Sequence, residues 1–265
     1  MIKKFISFFT SFILITGMLF NINVFANENQ GITYEEFKKA QDDGYIGEEI
    51  TYEELNNFIK SSYQLEKQIE NSENFYEIYD SSKDENFSIK RVDMGYSIPY
   101  LEPGDILITN GTTVPYLPGH AAIAVSSNAI VHIPGPGQTP EKVSRTLFKN
   151  MYIDRFSDWI KIYRPKNPEH GRKAGEWADN TYIYGSGKNA KYTITNDLYS
   201  IDETYCSKIV WQAYRFGANA RDAFEKTYSS QTGEYIDNYE IRYGLISPYA
   251  LDSMIKSTYT YKVVN

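Results

Sequence analysis

Cys206 is the one cysteine in a chain of 265 residues. It stands in YCSKIVWQAY, after a polar turn and at the start of an apolar stretch with helical spacing. A sulfur at a helix N-terminus faces unpaired main-chain N–H groups and the positive end of the helix dipole, and both favour the thiolate. Two of the three histidines, His120 and His132, lie upstream in GHAAIAVSSNAIVHI. A sulfur nucleophile with an imidazole base is the minimum apparatus for covalent hydrolysis. A lone cysteine that is only a small core hydrophobe is the alternative.

The elements around these residues decide whether they can meet. Two apolar runs, 120–125 and 129–133, flank Ser126-Ser127-Asn128 and read as a buried hairpin. With a three-residue turn, Val125 faces Ala129 and Ala122 faces His132. Side chains alternate faces along a strand, so His120 and His132 become diagonal neighbours on one face. A two-residue turn would put them on opposite faces. On this register His120 is the general base, His132 orients it through a ring N–H, and the N–H of Cys206 is an oxyanion donor. Thr204 or Glu203 can cap the Cys206 helix, whose periodic positions are Ile209, Val210, Ala213 and Tyr214, with Gly217 as its stop. Asp202 and Glu203, just before the sulfur, could also read a cationic substrate group. Elsewhere, 105–109 and 160–164 read as strands and 172–180 as a helix. His170 reads as a loop histidine, and Asp105 organises the turn into its strand.

The first 26 residues have the pattern of a secretory signal peptide: Lys3 and Lys4, an apolar run 5–20, and Val24-Phe25-Ala26 before an expected mature start at Asn27. This implies a secreted or cell-wall location, with no stable membrane insertion after cleavage. A single cysteine excludes an intramolecular disulfide. The net charge is −7 and uneven. Residues 27–85 carry sixteen acidic and five basic side chains, and the part after them has no basic patch of the kind that binds nucleic acid. This acidic region repeats a motif, ITYEEFKKA from Ile32 and ITYEELNNF from Ile50. Each copy carries a capping box, Thr33 with Glu36 and Thr51 with Glu54, so a helical pair is expected, the second helix running to about Ile78. The expected organisation is a signal peptide over 1–26, an acidic helical region over 27–85 and a catalytic domain over 86–265, with a linker at 81–86.

YCSKIVWQAY resembles the cysteine-helix motif of the NlpC-type papain-like cysteine hydrolases. Tyr182-Ile183-Tyr184-Gly185 resembles the stretch that precedes that cysteine in the family, and PGDILIT with GHAAIAVSSNAIVHI resembles its Pro-Gly-Asp and histidine strands. Here the histidine strands come before the cysteine, as in the circularly permuted, YiiX/YebB-like branch. The resemblance covers about residues 96–216. It implies an α+β papain-like fold, with a small antiparallel sheet, the cysteine helix packed on it, and the N-terminal helices as an extension. It implies Cys206 as nucleophile, His120 as base, His132 as third residue and Tyr182 as an active-site tyrosine. Tyr184 is the alternative tyrosine and otherwise a substrate-binding residue beside Asp202 and Glu203. It also implies cleavage of an amide bond in cell-wall peptides, with no metal or organic cofactor. Three other readings stand beside it: a thiol acyltransferase or lipid esterase akin to lecithin–retinol acyltransferase, a zinc site on Cys206, His120 and His132, and a non-catalytic wall-binding module.

Overall fold

The structure is a computed structural model, and it describes residues 31–74, 93–114, 117–229 and 232–264. The signal-peptide pattern and the linker lie outside these residues. Two helices lead: α1 (Tyr34–Asp42) and α2 (Tyr52–Asn74). Both capping boxes form, with the Glu36 and Glu54 carboxylates accepting from the Thr33 and Thr51 N–H groups at 2.9 and 2.8 Å. The strands that follow are β1 (Asp93–Gly95), β2 (Ile106–Thr109), β3 (His120–Ala124), β4 (Ala129–His132) and β5 (Glu141–Ser144). Helix α3 (Arg145–Tyr152), strand β6 (Trp159–Pro165) and helix α4 (Pro168–Tyr182) come next. Two short strands, β7 (Lys191–Tyr192) and β8 (Glu203–Thr204), precede α5 (Cys206–Gln212). The chain closes with β9 (Lys226–Ser229), β10 (Glu234–Asp237), α6 (Leu251–Met254) and β11 (Ser257–Val264).

Seven strands form one sheet in the order β1-β11-β6-β2-β3-β4-β5, antiparallel except for the β1–β11 pair. The chain is therefore α+β. Alternation along β3 divides the core. Ala121 and Ile123 face the layer that holds Tyr205, Ile209 and Val210 of the α5 region. Ala122 and Ala124 face the layer that holds Phe148 and Tyr152 of α3.

The acidic N-terminal region is part of the first layer. Phe37, Leu55 and Ile59 belong to the same core as Ile106 and Trp211. Ile46 bridges to Ile194, and the buried Lys161 ammonium donates to the Ile69 carbonyl at 3.0 Å. Its charge is thus carried on the outer faces of helices whose apolar stripes are buried. No helix among the described residues is long and apolar enough to cross a membrane.

Two expected details of the Cys206 helix change. Its N-cap is Tyr205, with no side-chain cap, so neither Thr204 nor Glu203 fills that role. It also runs past Gly217, through a wider turn over Ala213–Ala218, to Asn219 in the left-handed region (φ 43°). Gly217 serves close packing instead, since a Cβ there would come within 2.5 Å of the Trp177 Cβ on α4. Helix α4 extends over the expected 172–180 segment at both ends and takes His170 into its first turn, 3.5 Å from Asp222.

Asp105 organises its turn as expected. Its fully buried carboxylate accepts from the Glu102 N–H at 2.8 Å and takes a two-pronged bond from Arg164, at 2.9 and 2.8 Å. Arg164→Met would leave that carboxylate buried without its countercharge. The expected loss is about 2–3 kcal/mol, read as a lower urea midpoint with an unchanged slope.

Candidate active site

The β3–β4 ladder pairs Ile123 with Val131 and Ala124 with Ile130, and Val125 bonds to Ala129 across the turn. This is the register that the three-residue turn requires. Both histidines therefore point to the α3 side, and His120 Nε2 lies 3.1 Å from His132 Nδ1. The ladder stops at Ile123, so the strands part on the His120 side. The main-chain N–H of Ala121, next to His120, lies near the Cys206 sulfur there and favours its anion. Helix α5, which packs across β3, thus delivers the sulfur to the same end of the strand as His120.

Three residues that the sequence did not single out complete the group. Glu141 is the cross-strand partner of His132 in β5, and its Oε1 lies 3.2 Å from His132 Nε2. The approach is oblique to the ring N–H, so the contact is an electrostatic pairing more than an aligned hydrogen bond. Tyr152, from α3, stacks on the His120 ring at 4.3 Å with the planes 13° apart. Its hydroxyl sits 3.2 Å from His132 Nδ1. Phe148, one turn earlier on α3, packs edge-on to His132 at 5.3 Å. The signal for these residues was faint. EKVSRTLFKNMY offers only a Ser144 cap and an apolar pair four residues apart, and the register that aligns Glu141 with His132 is a tertiary fact.

Glu141 fixes the tautomers. Its carboxyl is held below the usual range by His132, so it is an acceptor. A lone pair at His132 Nε2 would face that carboxylate, so the proton belongs there, and Nδ1 is left to accept from His120 Nε2–H. The lone pair of His120 is then on Nδ1. Burial holds His120 neutral well below the ordinary imidazole pKa, with the nearby His132 adding to the effect. His132 is also lowered by burial, and Glu141 opposes this.

The sulfur differs from the sequence expectation. Cys206 is 7% exposed, and burial pushes its pKa up despite N–H groups from Ala121, Ser207 and its own residue. The resting pair is a thiol and a neutral imidazole, with no preformed thiolate.

Tyr182 is not brought to the histidines. It is fully buried, and its hydroxyl bonds to Gln212 and Thr204, so it clamps the Cys206 helix from behind. Tyr184 is exposed and accepts from Lys142 Nζ at 2.8 Å, one residue along β5 from Glu141. Asp202 and Glu203 are exposed just ahead of the sulfur, and their main-chain oxygens accept from the Lys191 N–H and Lys208 Nζ. Among the described residues, no group of three histidine, cysteine or carboxylate side chains is placed to hold a metal ion.

The family model for lipoprotein N-acylation proteins of the LnsA-like kind matches residues 58–265. The chain belongs to the LnsA-like lipoprotein N-acylation family. The match to this LnsA-like chain begins inside α2 and takes in the whole sheet and every residue of the candidate site. An uncharacterized 30.3 kDa protein of Bacillus thuringiensis is 34% identical over 164 residues. Those residues are 60% of the LnsA-like chain and 55% of that relative, so the chain spans about half of the relative's length. The metalloprotein YiiX of Escherichia coli O157:H7 is 15% identical, with a TM-score of 0.41 over 62% of this chain and 98% of its own. That likeness is too loose to carry an argument.

Two outcomes are expected of the site. Glu141→Gln frees the tautomer of His132, and iodoacetamide alkylation of Cys206 at neutral pH should slow about tenfold, with His120→Ala slower still. An unchanged rate in Glu141→Gln would sever Glu141 from the group. The second outcome is a pH dependence of stability. Both histidine pKa values are lowered by folding. Their contribution is therefore full above the unfolded value of about 6.5 and is lost as pH falls below it, where the unfolded chain binds the extra protons. The Tm should drop between pH 7 and pH 5, and His120→Gln with His132→Gln should flatten that drop.

Proposed function

We propose that this protein is a thiol acyltransferase. Cys206 accepts an acyl group from a lipid ester as a thioester and passes it to an amine. The observation that carries this reading is a buried histidine pair, oriented by Glu141 at the sheet edge and lying at the same strand end as the buried Cys206, in a member of the LnsA-like lipoprotein N-acylation family.

The chemistry runs in two halves. The sulfur attacks the ester carbonyl while His120 Nδ1 takes the thiol proton. The main-chain N–H of Cys206 is the oxyanion donor. Burial keeps the Tyr152 hydroxyl protonated, so it can serve as a second donor. When the intermediate collapses, the C–O bond breaks and His120 returns its proton to the departing alcohol. In the second half an amine attacks the thioester, His120 takes a proton from the nitrogen, and the C–S bond breaks. The thiol is re-formed with that proton. Exclusion of water favours transfer to the amine over hydrolysis. Asp202 and Glu203, exposed shortly before Cys206 in the chain, would draw a positively charged amine toward the thioester.

The same first half serves the amide hydrolysis implied by the resemblance to NlpC-type enzymes, where water would take the place of the amine. We read the order of histidine strands before the cysteine helix as the permuted papain-like arrangement. A lipid donor and a lipoprotein acceptor would both lie at the cell envelope, in keeping with the export pattern of the first 26 residues.

The test is intact-mass analysis after incubation with phospholipid vesicles. The expected result is one added acyl group, labile to hydroxylamine and absent from Cys206→Ala, that moves to a lipopeptide with a free α-amine. No adduct with phospholipid, together with cleavage of peptidoglycan fragments, would overturn the acyltransferase in favour of the hydrolase.

A further inference from the structure

The outer side of α3 and the loop after it combine positive charge with exposed apolar side chains. In a chain of net charge −7, residues 142–156 carry four basic side chains and one acidic. Lys142 is paired with Asp179 at 2.9 Å, and Arg145 is engaged by Asn128, the Ile98 carbonyl and the Tyr100 ring. Lys149 and Arg155 have no ion-pair partner among the described residues. Between and beyond them stand Leu147, 50% exposed, and Phe156, 92% exposed.

The loop that displays Phe156 is built. The Asp158 carboxylate accepts from the Asp154 and Arg155 N–H groups at 2.9 and 2.6 Å. Asn110 on the neighbouring strand end ties it down from both sides, donating to the Ser157 carbonyl at 3.0 Å and accepting from the Trp159 N–H at 2.7 Å. A pinned loop that holds a phenylalanine in water, flanked by two unpaired cations, has the chemistry of an interfacial anchor. The ring gains by entering the acyl boundary, and the cations gain at anionic headgroups. The inner side of the same helix supplies Phe148 and Tyr152 to the histidine pair.

We propose that α3 and the 153–158 loop form the face by which this protein sits on an anionic lipid bilayer, with Phe156 and Leu147 as apolar anchors and Lys149 and Arg155 as headgroup contacts. The charge and exposed apolar side chains of this face carry the docking; that the docked lipid is also the acyl donor rests on the acyltransferase reading. Docking on this face brings the helix that covers the site against the membrane.

The test uses the full chain with Cys206→Ala, so that acyl transfer cannot contribute, and an NBD fluorophore on Phe156→Cys. A matched protein carries the label on Tyr34→Cys, an exposed position on α1, which packs in the layer across the sheet from α3. With vesicles of phosphatidylcholine and phosphatidylglycerol at 3:1, NBD emission at 156 should rise severalfold and shift to the blue, while emission at 34 should not. Lys149→Glu with Arg155→Glu should weaken the response about tenfold or more in lipid concentration. No response at 156, an equal response at 34, or the same response on phosphatidylcholine alone would overturn the proposal. Because the sulfur is absent, failure here leaves the thioester result standing, and failure of the thioester leaves this result standing.

Discussion

The register of one hairpin governs the rest of the site. Ser126-Ser127-Asn128 is a three-residue turn, and from it Ala122 stands opposite His132 and both histidines share a face. A slip of one residue would turn every side chain of β4 over. His132 would then enter the layer that holds α5, and Ile133 would take its place beside Phe148. Neither layer could absorb this, since both are closely packed and an unpartnered imidazole is costly to bury. The same register carries His132 to Glu141 on the next strand, so one turn sets the geometry of three titratable groups.

The electrostatics follow from where the group is buried. At a helix N-terminus in water, Cys206 would lean toward thiolate. Here the loss of water outweighs three N–H contacts, and the thiol stays protonated. The same burial lowers both imidazoles, so a neutral relay replaces an ion pair. Glu141, only partly buried, keeps its charge and orients the relay from the edge of the sheet. Charge is thus kept at the wet end of the group, while the end at Cys206 stays dry. This suits the thioester of the proposed acyl transfer.

The acidic N-terminal helices show the same division between surface and interior. Their charge marked them as an extension, yet Phe37, Leu55 and Ile59 complete the core layer against which the Cys206 helix rests. Tyr182 belongs to that support as well, with its hydroxyl spent on Gln212 and Thr204. The resemblance implied it as an active-site tyrosine. Its side chain holds the helix from the side away from the histidines, and Tyr152 occupies the place at the imidazole.

Much of the chemistry was legible in local pattern. Strand alternation with a polar turn determined that His120 and His132 share a face. Helical spacing after a polar turn determined that Cys206 opens a helix. The two Thr-x-x-Glu boxes determined where α1 and α2 begin. These are effects of neighbours in sequence, and one chain carries them. Glu141, Phe148 and Tyr152 depend on how β5 and α3 return to β4, and the protonation of Cys206 depends on how completely those elements exclude water. Both are sums over contacts between residues far apart in the chain. Local pattern in the sequence therefore pointed to Cys206 and the histidine pair, and only the packed structure decided which groups surround them and in what charge state they stand.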